Sequence, residues 1–175
     1  MEQRIILIRA INVGGTARLP MADLRAIAAE LGATDISTYI ASGNLICTVP
    51  GSAVAFDGTL ERAIEDRFGF RRDVISRSLG EVRTALDAHP FEVIEPKFSY
   101  VTFLSATPTP EAIAKAAGYP TFDDEWQVIG RELHIRYAEG AGRPQMKGES
   151  VGRALGVAGT ARNLLTVRKL IELAG

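Results

Sequence analysis

Apolar residues follow two rhythms along this chain, and they alternate in blocks. Residues 4–9 (RIILIR) form a short β-branched run that ends at a glycine-rich turn, which predicts a buried strand. In residues 21–31 (MADLRAIAAEL), Leu24, Ile27, Ala28 and Leu31 fall at helical spacing, with Gly32 as the stop. Two β-rich runs, 36–41 and 44–49, flank Ser42-Gly43, and a two-residue hairpin fits, with Gly43 supplying the positive φ. Residues 57–68 return to helical spacing with Leu60, Ile64 and Phe68, and 72–77 (RDVISR) read as another strand. The predicted order is β-α-β-β-α-β within 78 residues, the split pattern of ferredoxin-like folds.

The second half nearly repeats this order. Ser78 and Glu81 make a capping box before a linking helix, LGEVRTALDA. Residues 98–105 predict a strand, and Thr109 with Pro110 starts a helix that ends at Gly118. WQVIGRELHIRY reads as a hairpin across Gly130-Arg131. A basic loop (140–148), a short helix (149–155) and an amphipathic helix (162–174) complete the chain. The expected fold class is α+β, with two packed subdomains. Residues 1–78 form a ferredoxin-like βαββαβ subdomain, and 79–175 a related βαββα subdomain with extra C-terminal helices. The repetition is one of element order, not of visible sequence.

Composition narrows the class. Of 175 residues, 46% are hydrophobic and 23% charged, as in an ordinary globular protein. Twenty basic and 21 acidic side chains leave a formal charge of −1, which argues against a nucleic-acid-coating protein. Cys47 is the single cysteine, so no internal disulfide forms, which suits a reducing cytosol. Neither a secretory leader nor a transmembrane run is expected, so the predicted location is cytoplasmic. The near-zero total hides a polarity. Residues 140–175 hold six basic side chains (Arg143, Lys147, Arg153, Arg162, Arg168, Lys169) against Glu149 and Glu172. Residues 107–139 hold three basic against six acidic ones. A basic end suits an anionic partner, and equally a solvated helix face.

Three stretches draw attention as chemistry. The opening loop, LIRAINVGGTARLP (7–20), places Gly14-Gly15 after a strand, where backbone N–H groups can hold a phosphate. It lacks the spacing of either standard phosphate loop, because Thr16 to Pro20 separate the glycines from the next helix. A plain turn is the competing reading. By strand alternation Arg9 shares the face of Ile5 and Leu7, where a charge wants a partner or a ligand, and Asn12 is placed to close the turn. The hairpin tip offers Ser42 and Asn44 as donors and acceptors. Near the end, Thr160-Ala161-Arg162-Asn163 resembles a helix start, with Thr160 or Asn163 as cap and Arg162 beside free N–H groups. His89 and His134 form no metal-ligand spacing with each other or with Cys47, and neither is tied to Ser42 as a catalytic base. The last two helices are separated by about six residues, too many for a helix-turn-helix, so sequence-specific DNA binding is not expected.

Taken in order, LIRAINVGG, the M-A-D-L helix, T-Y-I-x-S-G-N and T-x-R-N before K-L-x-E-L-A make this chain resemble the bacterial family called domain of unknown function 1697. The resemblance covers essentially the whole chain. It implies the two-subdomain α+β fold and a cytoplasmic bacterial setting, and no reaction. Two departures stand out: Ala10 where the family usually has glycine, and Leu164-Leu165 where it usually has Trp-Asn.

The functional expectation is an anion site. Arg9, Asn12, Gly14, Gly15, Ser42, Asn44, Arg143, Lys147, Thr160, Arg162 and Asn163 are the ligand-binding candidates, converging on a cleft between subdomains. Arginines with amides and hydroxyls suit a phosphate-bearing small molecule or nucleotide. No catalytic residue, cofactor or metal is indicated, and the oligomeric state is not read. The alternatives are a non-catalytic protein-interaction module and nonspecific nucleic-acid backbone binding by the basic end.

Overall fold

The computed structural model describes residues 1–175. In the first half, β1 (Glu2–Ile8), α1 (Met21–Glu30), β2 (Thr34–Tyr39), β3 (Asn44–Val49), α2 (Ala53–Phe68) and β4 (Val74–Arg77) follow one another. The strands form one antiparallel sheet in the order β2-β3-β1-β4. This is the expected ferredoxin-like arrangement. β1 is central and buried on both faces, which is why Ile5 to Ile8 run apolar without alternation. Its even-numbered residues, Ile6 and Ile8, pack with Leu45 and Cys47 of β3 under the helices, against Leu24 and Ile27 of α1 and Leu60 and Ile64 of α2. α2 stops where Gly69 takes the left-handed conformation, φ 74°. The β2–β3 connection is longer than the expected two residues. Residues 40–43 form it, with Ile40 at φ 48° and Gly43 at φ 87°, because Tyr39 rather than Ala41 is the last residue paired, opposite Asn44.

The capping box forms as read. The Ser78 N–H donates to Glu81 Oε2 at 2.7 Å and the Glu81 N–H to Ser78 Oγ at 3.1 Å, opening α3 (Leu79–Asp87). Then come β5 (Ser99–Leu104), α4 (Pro110–Ala117), β6 (Glu125–Ile129), β7 (Glu132–Arg136), α5 (Gly148–Leu155), β8 (Gly159–Asn163) and α6 (Leu164–Ala174). Thr109 Oγ1 accepts the Ala112 N–H at 3.1 Å, as a cap should. The second sheet is antiparallel in the order β6-β7-β5-β8.

One element differs from the expectation. Residues 159–163 are strand β8, not a helix start, so the second half is itself βαββαβ. Pairing with β5 decides it: Thr160 faces Phe103 and Arg162 faces Val101. Gly159 allows the close approach, since a Cβ there would lie 2.8 Å from side-chain atoms of both Leu104 and Thr102. Asn163 is nonetheless a cap, its Oδ1 accepting the Thr166 N–H at 2.9 Å as α6 begins.

The two sheets match register for register. Ile5 of β1 faces Ile46 and Arg77, while Val101 of β5 faces His134 and Arg162. Arg77 and Arg162 therefore occupy equivalent places. Both are buried, and each donates from Nη1 to the carbonyl of the residue before it, at 3.0 and 2.8 Å. The chain divides into two compact units, Met1–Arg83 with Lys169–Gly175, and Thr84–Arg168. α6 thus starts in one unit and ends in the other. No helix is long and apolar enough to cross a membrane.

Candidate functional site

Three loops gather at one end of the first sheet because β1 ends where β3 and β4 begin. The Ile8 N–H donates to Gly43 O at 2.9 Å and the Arg9 N–H to Asp73 O at 3.0 Å, tying the opening loop to the hairpin tip and to residues 69–73. Asn12 fastens the loop. Its Nδ2 donates to Leu19 O (2.9 Å) and Ala41 O (2.7 Å), and its Oδ1 accepts the Leu19 N–H (2.8 Å). Every hydrogen-bonding direction in the plane of that amide except one is used. Asn12 closes the turn, as its residue type suggested.

Gly14-Gly15 are the tip of a miniature hairpin. Val13 bridges Thr16, and both glycines have positive φ (62° and 73°), the requirement of a type I′ turn. Nothing lies within 4 Å of where either Cβ would stand, so their backbone is open to solvent. Ala10, Asn12 and Ala17 of the same loop are also left-handed, at 48°, 54° and 49°. Asparagine tolerates that conformation; alanine is strained in it.

Arg9 corrects the alternation argument. The strand ends at Ile8, and the Arg9 side chain is 52% exposed, with Nη1 3.3 Å from Asp73 Oδ2. It is not a charge buried on an apolar face. It lines a surface cavity of about 450 Å³ with Ala10, Arg71, Arg72 and Asp73. Arg72 is held over it: Nε donates to Ala10 O at 3.3 Å, Nη1 to Arg71 O at 2.9 Å, and the guanidinium lies 5.6 Å from the Phe70 ring centre. Arg71 Nη2 is 3.6 Å from Glu61 Oε2. A second cavity, about 480 Å³, is lined by Asn12, Gly15, Arg18, Leu19, Pro20, Met21 and Ala41. Arg18, Arg71 and Arg72 were absent from the sequence-level candidates. The readable signal was the R-R-D run at 71–73, which follows a helix end closely enough to return beside Arg9.

At the hairpin tip, buried Asn44 donates from Nδ2 to Tyr39 O and Ser42 Oγ, both at 3.0 Å. These two side chains hold the loop's shape. Gly43 is compulsory, since a Cβ would lie 2.9 Å from Ile8 O.

The remaining candidates belong to the second unit. Arg143 and Lys147 are exposed, in the turn before α5. Arg162 Nη1 donates to Thr160 Oγ1 at 2.7 Å, and burial pulls its guanidinium down to about 10. Residues 160–163 run as a strand beside β5, so the cluster of free N–H groups expected of a helix start is not there. His89 and His134, which no spacing linked, meet: their Nδ1 atoms are 3.0 Å apart. Each Nε2 is buried without a partner, and desolvation, then the neighbouring ring, hold His134 down at about 4. One ring donates and the other accepts, and burial favours the neutral form of each.

In the first unit, then, a ferredoxin-like sheet carries an arginine-lined depression where the loops at one end of its strands meet. Such architecture defines a small α+β protein with two sheets of one design. The chain belongs to the family described as protein of unknown function (DUF1697), whose model matches residues 1–134. A solved structure of a conserved bacterial protein from Streptococcus pneumoniae is similar in fold, with a TM-score of 0.77 and 20% identity, covering 99% of this chain and 98% of that one. No curated protein matches the chain.

Proposed function

We propose that the protein binds a phosphate-bearing anion, a nucleotide or a phosphorylated metabolite, at the arginine-lined end of the first unit. One observation carries the reading: Arg9, Arg71 and Arg72 line a single open cavity that contains only one carboxylate, Asp73. Guanidinium forks match phosphate oxygens two at a time, and Arg72 is already oriented by its bonds to two carbonyls. Asp73 pairs Arg9 when no ligand is present and yields that fork to a stronger anion. The glycine pair and Arg18 lie along the same loop, where open N–H groups add acceptor-seeking donors. The assigned role is binding in a bacterial cytosol, and no turnover is assigned.

The test is calorimetric titration with pyrophosphate, nucleoside monophosphates and nucleoside triphosphates, at low and high salt. Arg72→Ala and Arg9→Ala should each weaken the tightest ligand about tenfold or more, the loss of one charge-assisted pair. Arg153→Ala, on α5 of the second unit, should leave it unchanged. Equal affinity in all three variants would refute the site.

A further inference from the structure

The outer strand of the second sheet is open in a way its counterpart is not. β6 ends the order β6-β7-β5-β8, so nothing pairs with its far side. Sheet edges are usually blunted by bulges, charges or proline. β2, the equivalent edge of the first sheet, follows that rule: its register shifts between Thr34 and Ser37, with Asp35 at φ 52°. β6 does not. Its pairing to β7 runs unbroken from Glu125 to Ile129, and its sequence is EWQVI.

The hairpin turn fixes which backbone groups face outward. Gly130-Arg131 is a two-residue turn with Gly130 at φ 61°, and such turns are closed by a hydrogen-bonded pair, here Ile129 and Glu132. Counting back by twos, Gln127 and Glu125 bond inward to β7. Trp126 and Val128 therefore present their N–H and C=O groups to the open side. No hydrogen bond beyond the sheet uses them. Their side chains share a groove of about 510 Å³ with Ile113 and Ala117 of α4 and with Phe91. Strand edge and helix thus form the two walls of a trough. Its margin is acidic. Asp123 and Glu125 are exposed at one end, and Glu92 follows Phe91. Arg136 is held by Glu125 Oε2 at 2.6 Å and by Asp123 O at 3.3 Å.

We propose that this trough docks an extended peptide as a fifth strand of the second sheet, apolar at alternate positions and basic at the end beside Asp123. Backbone bonds to Trp126 and Val128 supply the pairing, and every second side chain enters the groove against Ile113. The acidic margin selects lysine or arginine.

The experiment is an amide NMR titration of the full chain with the heptapeptide KTVTVTK, whose two lysines serve either strand direction. The largest shifts should fall on Trp126, Val128 and Ile113, with slowed amide exchange at Trp126 and Val128. The charge-reversed peptide ETVTVTE should bind at least tenfold more weakly. Val128→Pro removes an N–H that the sheet does not use, so its spectrum should stay dispersed while binding is lost. Ala117→Arg, an exposed change on the groove wall, should weaken KTVTVTK without touching the strand. Three results would overturn the proposal: no shifts at millimolar peptide, equal binding by Val128→Pro, or a dimer of the free chain that Val128→Pro dissolves, which would make the occupant a second copy.

Discussion

Ala10 sits at φ 48°, where an L side chain crowds its own carbonyl, and the loop cannot relax it because Arg72 grips the Ala10 carbonyl and Arg9 is fixed to Asp73. Glycine would sit there unstrained. Ala10→Gly should therefore raise stability by about 1 kcal/mol, read as a higher urea midpoint at unchanged slope. A lower midpoint would mean that the strain is absent. Asn12 makes the opposite case. Its amide satisfies three backbone groups, and alanine leaves the Leu19 N–H and the Leu19 and Ala41 carbonyls without it. Asn12→Ala should cost about 2–3 kcal/mol in the same assay, and a change below about 0.5 kcal/mol would show that water replaces it freely. Asn12 was legible from sequence because asparagine in a turn has a known habit. Arg9 was misjudged because alternation was carried one residue past the strand's end.

Elements differ in how much of their identity is local. The strands and helices of the first unit announce themselves through spacing, and the Ser78–Glu81 box forms as the sequence dictates. β8 does not announce itself. Gly-Thr-Ala-Arg-Asn has the composition of a turn or cap, and only the ladder to β5, far away in sequence, makes it a strand. The arginine depression was half legible for the same reason: Arg9 came from the loop motif, but Arg71 and Arg72 reach it through the return of β4 beside β1. The hairpin tip yields a sharper test. Gly43→Ala combines a φ of 87° with a Cβ placed 2.9 Å from Ile8 O and 3.0 Å from Ile11 Cδ1, so β1 and β3 must move. We expect a loss of at least about 2 kcal/mol, from strain plus overpacking. Gly14→Ala, at φ 62° with open space around it, should cost only the conformational part, about 1 kcal/mol. Equal losses in thermal or urea melts would show that the tip is looser than its contacts imply.

Over the whole molecule, one buried group in each unit ties stability to pH, and the two act with opposite sign. His134 titrates at about 4 when folded, below its ordinary 6.5, so the unfolded chain binds the extra proton first. Its contribution is complete above pH 6.5 and is lost as pH falls through the folded value. That amounts to about 3 kcal/mol on the second unit. Trp126, the single tryptophan, reports that unit by fluorescence. Asp57 of α2 behaves in reverse. Burial pushes its carboxyl up to about 6, outweighing the Ser76 hydroxyl bonded to it at 2.7 Å, so its contribution to the first unit is present at low pH and fades as pH rises through 6. His134→Leu should flatten the tryptophan-detected slope between pH 4 and 6.5, and Asp57→Asn should flatten that of the first unit. Slopes that survive these changes would place the protons elsewhere. The repeated order of elements was readable up to the last strand, β8, whereas the buried histidine pair was not, because residues 89 and 134 meet only through the fold. The division of α6 has a consequence in time. Residues 169–175 complete the first unit, yet the ribosome makes them after all of Thr84–Arg168. At about 5–20 residues per second, the first unit waits several seconds for its final turns of helix. During that interval the emerging chain holds a nearly finished domain while the later one is still being made, a window in which chaperones or premature partners compete for the vacant seat.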